Sequence, residues 1–237
     1  MTVLDPAFPG ATAVTVLEVY DWPAPDGERG GSAHVHLASA EGYVVLSGAG
    51  RLQTLGGHGY TEAPLHPGDC LWFTPGTIHR LVNDGELRIL VVMANAGLPE
   101  DGDAVLTFPP EVLADPHRYA EEASLAAGPA EREARRRRDL ALTGYLELRD
   151  RVVVTGPSAL EDFYAAAVRL VSGRVPGWRD RWRAGAFGAA ALTGQHLDQI
   201  AGLDPSHLRA GRLRRMVAPG DGAFGMCGRL TAYRPQA

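Results

Sequence analysis

Residues 34–41 read His34-Val35-His36-Leu37-Ala38-Ser39-Ala40-Glu41, and residues 74–83 read Thr74-Pro75-Gly76-Thr77-Ile78-His79-Arg80-Leu81-Val82-Asn83. On a strand, successive side chains point to opposite faces, so His34 and His36 leave the same side. Glu41 has the opposite parity and joins them only if Ala38-Ser39-Ala40 bends the chain. His79 opens another strand just after the turn at Thr74-Pro75-Gly76-Thr77. A single histidine on such a strand is ordinarily core or surface. Three imidazoles and a carboxylate that converge inside a barrel form a borderline-hard pocket, suited to Fe(II), Mn(II), Ni(II), Co(II) or Zn(II).

Outward from these stretches, the first half of the chain reads as many short strands. Residues 15–20, 33–37, 43–46, 51–55, 70–73, 79–83, 87–93 and 104–108 are rich in β-branched or aromatic residues, with Gly, Pro, Asp or Asn between them. Such spacing predicts an antiparallel sandwich or barrel. Near Pro109-Pro110 the period changes to that of helices. A short helix is expected over 111–120, a long one over 131–149, and a capping box at Ser158-Ala-Leu-Glu161. One or two helices over 176–200 and a last one from Asp204-Pro205 follow, then a closing strand at 229–233. The fold class is thus mainly β plus α: a barrel over 1–110 and a mostly helical C-terminal region over 111–237.

Taken together, the two opening stretches resemble the cupin superfamily. Its first motif runs Gly, five residues, His-x-His, three or four residues, Glu, six residues, Gly. Here His34-Val35-His36, Glu41 and Gly48 keep that spacing, while Glu28 stands at the leading glycine position with Gly27, Gly30 and Gly31 around it. The second motif runs Gly, five residues, Pro-x-Gly, two residues, His, three residues, Asn, and is matched by Gly68, Pro75-Gly76, His79 and Asn83. Thr74 replaces its proline. These departures touch turns and spare the four ligand positions. The resemblance covers about residues 30–95 by motif and 10–110 by strand pattern.

The resemblance implies an antiparallel double-stranded β-helix, or jelly roll, holding one divalent transition metal (Fe, Ni, Mn, Co or Zn) on His34, His36, Glu41 and His79. Chemistry in this superfamily spans dioxygenases, isomerases, epimerases, cyclases and non-catalytic ligand sensors, and fold does not choose among them. The complete three-His-one-Glu set favours a dioxygenase-type oxidoreductase with substrate and O2 at an open metal site. A Zn- or Mn-dependent isomerase, epimerase or cyclase is the alternative, and a small-molecule sensor the third. Glu41 could also act as a base, as in related cupins. Tyr43 shares its parity and is the second catalytic candidate. Gln53, Trp72 and Asn83 are candidate substrate contacts; Trp72 and Phe73 point opposite ways, so one of the two lines the cavity. The family also implies a homodimer.

Composition narrows the rest. All 23 basic residues of the 237 are arginine, so Schiff-base chemistry, pyridoxal-phosphate imines and the phosphate loop's GK[ST] are closed to this chain. Two distant cysteines, Cys70 and Cys227, suit a reducing cytoplasm. Residues 1–5 show no leader-like pattern, and the charge-free run 184–197 is short and glycine-containing, so a soluble cytoplasmic protein is expected. The net charge of −5 divides into −12 over 1–130 and +7 over 131–237. This reads first as an acidic barrel held to a basic helical region, with a nucleic-acid partner ranked behind. Arg135–Arg138 lies among Glu131, Glu133 and Asp139 and reads as a solvated, ion-paired face. The GxGxxG-like run 220–225 lacks a preceding strand and reads as a loop, and His58 as a hairpin tip.

Overall fold

The computed structural model describes residues 8–218, 220 and 222–236. The expectation of no leader rests on residues 1–5, which lie outside the described residues, as does Asp221 of the glycine-rich loop. The strands are β1 (Ala13–Val19), β2 (His34–His36), β3 (Glu41–Gly56), β4 (Gly59–Leu65), β5 (Cys70–Phe73), β6 (Ile78–Met93) and β7 (Ala104–Leu106). Six α-helices follow: α1 (Pro110–Leu113), α2 (Pro116–Ala123), α3 (Ala130–Thr155), α4 (Glu161–Val171), α5 (Val175–Trp182) and α6 (Gly188–Ala201). The chain ends as strand: β8 (Met216–Val217), β9 (Ala223–Phe224), β10 (Gly228–Ala232) and β11 (Arg234–Pro235). Among the described residues, no helix is long and apolar enough to cross a membrane.

Nine of the strands form one antiparallel sheet, in the order β4-β3-β6-β1-β10-β9, with β5 on β3 and β2 joining β6 to β7. The two long strands organise it. β3 and β6 pair along their lengths from Glu41↔Met93 to Leu55↔Ile78. Each passes from one layer of the barrel to the other. What reads as two strands, at 43–46 and 51–55 or at 79–83 and 87–93, is therefore one bent strand in each case. The bend in β3 coincides with register shifts between Val45 and Gly50. Gly48 sits there at φ +79°, where a Cβ would run into the Glu86 carbonyl. β4 was not anticipated. It is mostly exposed, carries polar residues, and completes a hairpin whose tip is His58.

Burial along β6 records which layer each half belongs to. Residues 78–83 are buried on both faces, whereas from Leu87 to Met93 alternate residues are buried and the others are more open. The second half has one face on the core, as antiparallel strands commonly do. The first half is covered on its outer face by helices. Two cores result. Between the layers, Leu17, Val45, Leu52, Leu65, Leu81, Ile89 and Val91 interlock. Outside, Val35, Leu55, Ile78 and Phe108 pack against Leu142, Tyr145, Leu148, Phe163 and Ala167 of α3 and α4. Fully burying each such large apolar side chain is worth about 1.5–3 kcal/mol. The helical region therefore backs one layer of the barrel.

The Arg135–Arg138 run departs from its expected solvated role. Arg135 pairs with Glu131 at 2.8 Å, and Arg136 with Glu133 at 2.9 Å and with Glu122. Arg137 and Arg138 are buried instead. Arg138 donates to the carbonyls of Trp22 (3.1 Å), Gly30 (2.9 Å) and Pro23 (2.8 Å), while the Arg135 guanidinium lies 4.2 Å from the Trp22 ring centroid. The basic helix thus holds the barrel chiefly through carbonyls and an aromatic face. Elsewhere the expected helix over 111–120 breaks at Asp115-Pro116, where Asp115 accepts from the His117 and Arg118 N–H groups. Ser158 makes no capping bond and lies in a 3₁₀ turn before α4, and only a 3₁₀ stretch, Ser206–Ala210, follows Asp204-Pro205. The closing strand forms as expected, as β10 against β1.

Candidate metal centre

β2 delivers His34 and His36 to the barrel interior, and His79 on β6 lies directly across from His34 in register. Glu41 comes in from the start of β3 after the bend at 37–40. That bend has a specific cause. The Asp103 carboxylate, fully buried, accepts from the backbone N–H of Leu37 (3.0 Å), Ala38 (2.6 Å) and Ser39 (3.1 Å). It gathers the Ala38 and Ser39 N–H groups, which the end of β2 would otherwise leave unpaired, shares that of Leu37 with its own backbone carbonyl at 3.2 Å, and turns the chain so that Glu41 changes face.

Each imidazole is aimed in the same way. His34 Nδ1 lies 3.3 Å from the Ser32 carbonyl, His79 Nδ1 lies 3.1 Å from the Thr77 carbonyl, and His36 Nδ1 faces Asp103 Oδ2 at 3.4 Å. An Nδ1 turned to an oxygen acceptor leaves the Nε2 lone pair free to act as a ligand. The three Nε2 atoms point inward to one place. His34 Nε2 is 3.1 Å from His79 Nε2, and Glu41 Oε2 is 3.1 Å from His79 Nε2 and 3.3 Å from His36 Nε2. Glu41 Oε2 is buried with no well-formed hydrogen bond.

This donor set fits a cation. A transition metal with ligands at about 2.1 Å sets neighbouring donor atoms about 3.0–3.4 Å apart, which these three contacts match, and all four donor atoms lie within 4.8 Å of one another. Two neutral imidazoles facing each other through Nε2 repel unless a proton or metal lies between them. Among the described residues, His34, His36, Glu41 and His79 are the group that could hold a metal ion, and all four are buried.

The electrostatics agree. Burial, with His79 and His36 beside it, holds His34 well below its ordinary pKa, so it stays neutral. Burial opposes the charge on Glu41, but His79 and His36 outweigh it and keep the carboxylate ionised. His36 is pushed up to about 9: burial works against its charge, and the Asp103 and Glu41 carboxylates beside it prevail, so a proton stands at Nε2 where a cation would bind and leaves when a metal takes its place.

His34, His36 and Glu41 of the cluster form part of the wall of a cavity of about 310 Å³. Tyr43, Leu17, Val91 and Met93 also line it, together with Arg137 from α3 and Gly225–Cys227 from the C-terminal strands. Burial and the nearby Glu41 carboxylate hold the Tyr43 phenol well above its usual pKa, so it remains a proton-bearing donor. Burial likewise raises the Cys227 thiol, which lies 3.8 Å from His34 Nδ1 and is no nucleophile.

Three expected substrate contacts lie elsewhere. The register shifts in β3 invert its alternation beyond Ser47, so Leu52 faces inward while Gln53 faces the helices. There Gln53 donates to Glu62 (2.8 Å) and accepts from the Tyr145 hydroxyl (3.3 Å). Trp72 is 72% exposed, and its neighbour Phe73 turns inward, 4.4 Å between ring centroids from His79. Asn83 donates to the Val19 carbonyl and accepts from the Gly85 and Leu87 N–H groups, which uses it up in holding the hairpin end. Conversely, Asp103, Arg137 and Cys227 were not anticipated. None stands at ligand spacing, and each reaches the site from a distant element.

A family model for the cupin domain matches residues 23–93. Residues 23–93 are a cupin domain. The match ends with β6, so β7, the helices and the closing strands lie beyond it. Similar solved structures include a double-stranded β-helix protein from Klebsiella pneumoniae (22% identity, 35% of this chain and 66% of that one, TM-score 0.29). A predicted oxalate decarboxylase from Thermotoga maritima is 24% identical over 35% of this chain and 64% of that one (TM-score 0.27). A Streptomyces nucleoside dehydratase is 19% identical over 37% and 62% (TM-score 0.29). The chain thus spans somewhat less than two thirds of each of these structures. Among curated proteins, none matches.

Proposed function

We propose that this cupin is a metal-dependent enzyme acting on a small oxygenated organic molecule, with dioxygenase-type oxidoreductase chemistry. The observation that carries the reading is the convergence of three Nε2 atoms and Glu41 Oε2 at the wall of a cavity sized for a small substrate. A redox-capable ion held by His34, His36, Glu41 and His79 would supply electrons and open positions for substrate and O2.

The chain's own groups supply the rest. Ser32, Thr77 and Asp103 orient the imidazoles, while Leu17, Val91 and Met93 give the cavity an apolar lining. Tyr43 can donate to a substrate oxygen. Among the described residues, the cavity wall offers no carboxylate or thiolate without a partner to shuttle protons. Tyr43 and Cys227 are held protonated, Glu41 is engaged by imidazoles, and Glu100 accepts from the Gly97 N–H at 2.9 Å. That favours metal-centred redox chemistry over isomerisation or cyclisation.

The test begins with elemental analysis of purified protein. About one divalent transition metal per chain is expected in the wild type and little in His34→Ala or His79→Ala. Oxygen uptake with enolisable or catecholic acids should require Fe or Ni and vanish in His36→Ala. Turnover without O2 on Zn or Mn would favour the isomerase reading instead. Ligand binding without turnover on any metal would favour a sensor.

A further inference from the structure

Among the described residues, one cation in this cavity has no counter-ion. Arg137 comes from the helical region, is only 7% exposed, and lines the same cavity as His34, His36 and Glu41. Its guanidinium donates to two carbonyls, Gly225 at 2.5 Å and Ala123 at 3.3 Å, and its buried Nε has no partner. Among the described residues, no carboxylate pairs with it. Glu133, one turn back on the helix, is taken by Arg132 and Arg136. Glu41 is engaged by the imidazoles. Tyr20, whose hydroxyl shares the Gly225 carbonyl, and Cys227 are both held protonated by burial. Carbonyls satisfy hydrogen bonds but leave the positive charge unneutralised, and a desolvated, uncompensated charge is costly.

We propose that Arg137 is the anion-recognising residue of this site, and that the substrate is a small carboxylic acid whose carboxylate is drawn to Arg137 while its oxygen functions face the His/Glu cluster. The proposal rests on the metal-site reading above. A single guanidinium with part of its donor set already used matches one negative charge. The apolar lining, with Leu17, Val91, Met93 and Leu230, suits a carbon skeleton between the two polar ends. A volume of about 310 Å³ lies at the small end of ligand cavities, about 300–1,000 Å³, and limits that skeleton to a short chain or a single ring. Residues 225–227 link the two ends: Gly225 accepts from Arg137, and Cys227 touches His34.

The probes are acetate, benzoate and 4-hydroxybenzoate, each set against its neutral carboxamide. Binding is measured by calorimetry on Zn(II)-loaded and metal-free full-length protein. At least one carboxylate should bind about tenfold or more tighter than its amide, a difference of about 1.4 kcal/mol. Arg137→Gln should abolish that preference, and Arg137→Lys should retain part of it while thermal melts confirm folding. If no carboxylate of the set outbinds its amide on wild-type protein, or if folded Arg137→Gln keeps the preference, the proposal is overturned. Should Arg137→Gln not fold, the wild-type comparison and Arg137→Lys decide. Metal content is read separately. An Arg137-dependent preference in protein that holds no metal would support anion recognition and sink the metalloenzyme reading; metal bound without the preference would do the reverse.

Discussion

Asp103 shows most clearly how one side chain can set a site from outside it. It ties three N–H groups of the 37–40 bend and faces His36 Nδ1, so it shapes both the route to Glu41 and the aim of an imidazole. Partners of metal-ligating histidines typically contribute about 10–100-fold to metal affinity. Asp103→Asn keeps the shape and one acceptor oxygen but removes the charge. It should weaken metal binding by about that factor, measured by chelator competition, while the far-ultraviolet spectrum stays unchanged. The four residues that could hold a metal were legible in the sequence because residue type and spacing are local properties. Asp103 was not, since its partners lie far away in the chain and an Asp after a glycine carries no mark of what it will meet. Gln53 was misread for a related reason. Parity holds along an uninterrupted strand, and the bulges that reverse it arise from pairing between β3 and β6.

Among the elements, β6 carries the most. Its first half is buried on both faces and still accommodates Arg80, whose side chain is fully buried. The charge survives there because Asp26, in the loop before β2, meets the guanidinium with both carboxylate oxygens. Burial alone would raise the Asp26 carboxyl, but the Arg80 contact prevails and lowers it below its ordinary value. A lowered folded-state pKa makes the pair stabilising above the unfolded value of about 3.9, and that contribution is lost as pH falls through the folded value. Asp26→Asn should therefore cost about 3–5 kcal/mol at pH 7, because it strands a buried cation. Denaturant melts should show the gap between wild type and variant narrowing below about pH 4. A gap independent of pH would contradict the assignment. Strand content at this scale was readable from β-branched runs, but their continuity was not. A glycine-bearing bend and a turn look alike until the partner strand is known.

At the scale of the whole molecule, the barrel is closed from both ends of the chain. β10 pairs with β1, residues 225–227 help wall the cavity, and α3 sends Arg137 to that wall and Arg138 into the carbonyls of Trp22, Pro23 and Gly30. Arg138→Met fills much of the same space and removes every one of those donors. With each abandoned buried acceptor costing about 1–3 kcal/mol, the variant should lose several kcal/mol of stability in urea melts. If α3 were merely laid against the barrel, the loss would be near zero.

The His/Glu cluster, the antiparallel strands, the helical second half and its positive charge follow from the sequence alone, because each depends on residue type and on spacing within a few turns or strands. What the charge was for, which residues face the cavity, and that the helical half helps build the site were decided only by the tertiary structure. Those depend on register, on burial and on contacts between residues far apart in the chain. Arg137 and Arg138 stand side by side in a run of four arginines. Only packing against the barrel distinguishes one that clasps loop carbonyls from one that meets the cavity with no counter-ion among the described residues.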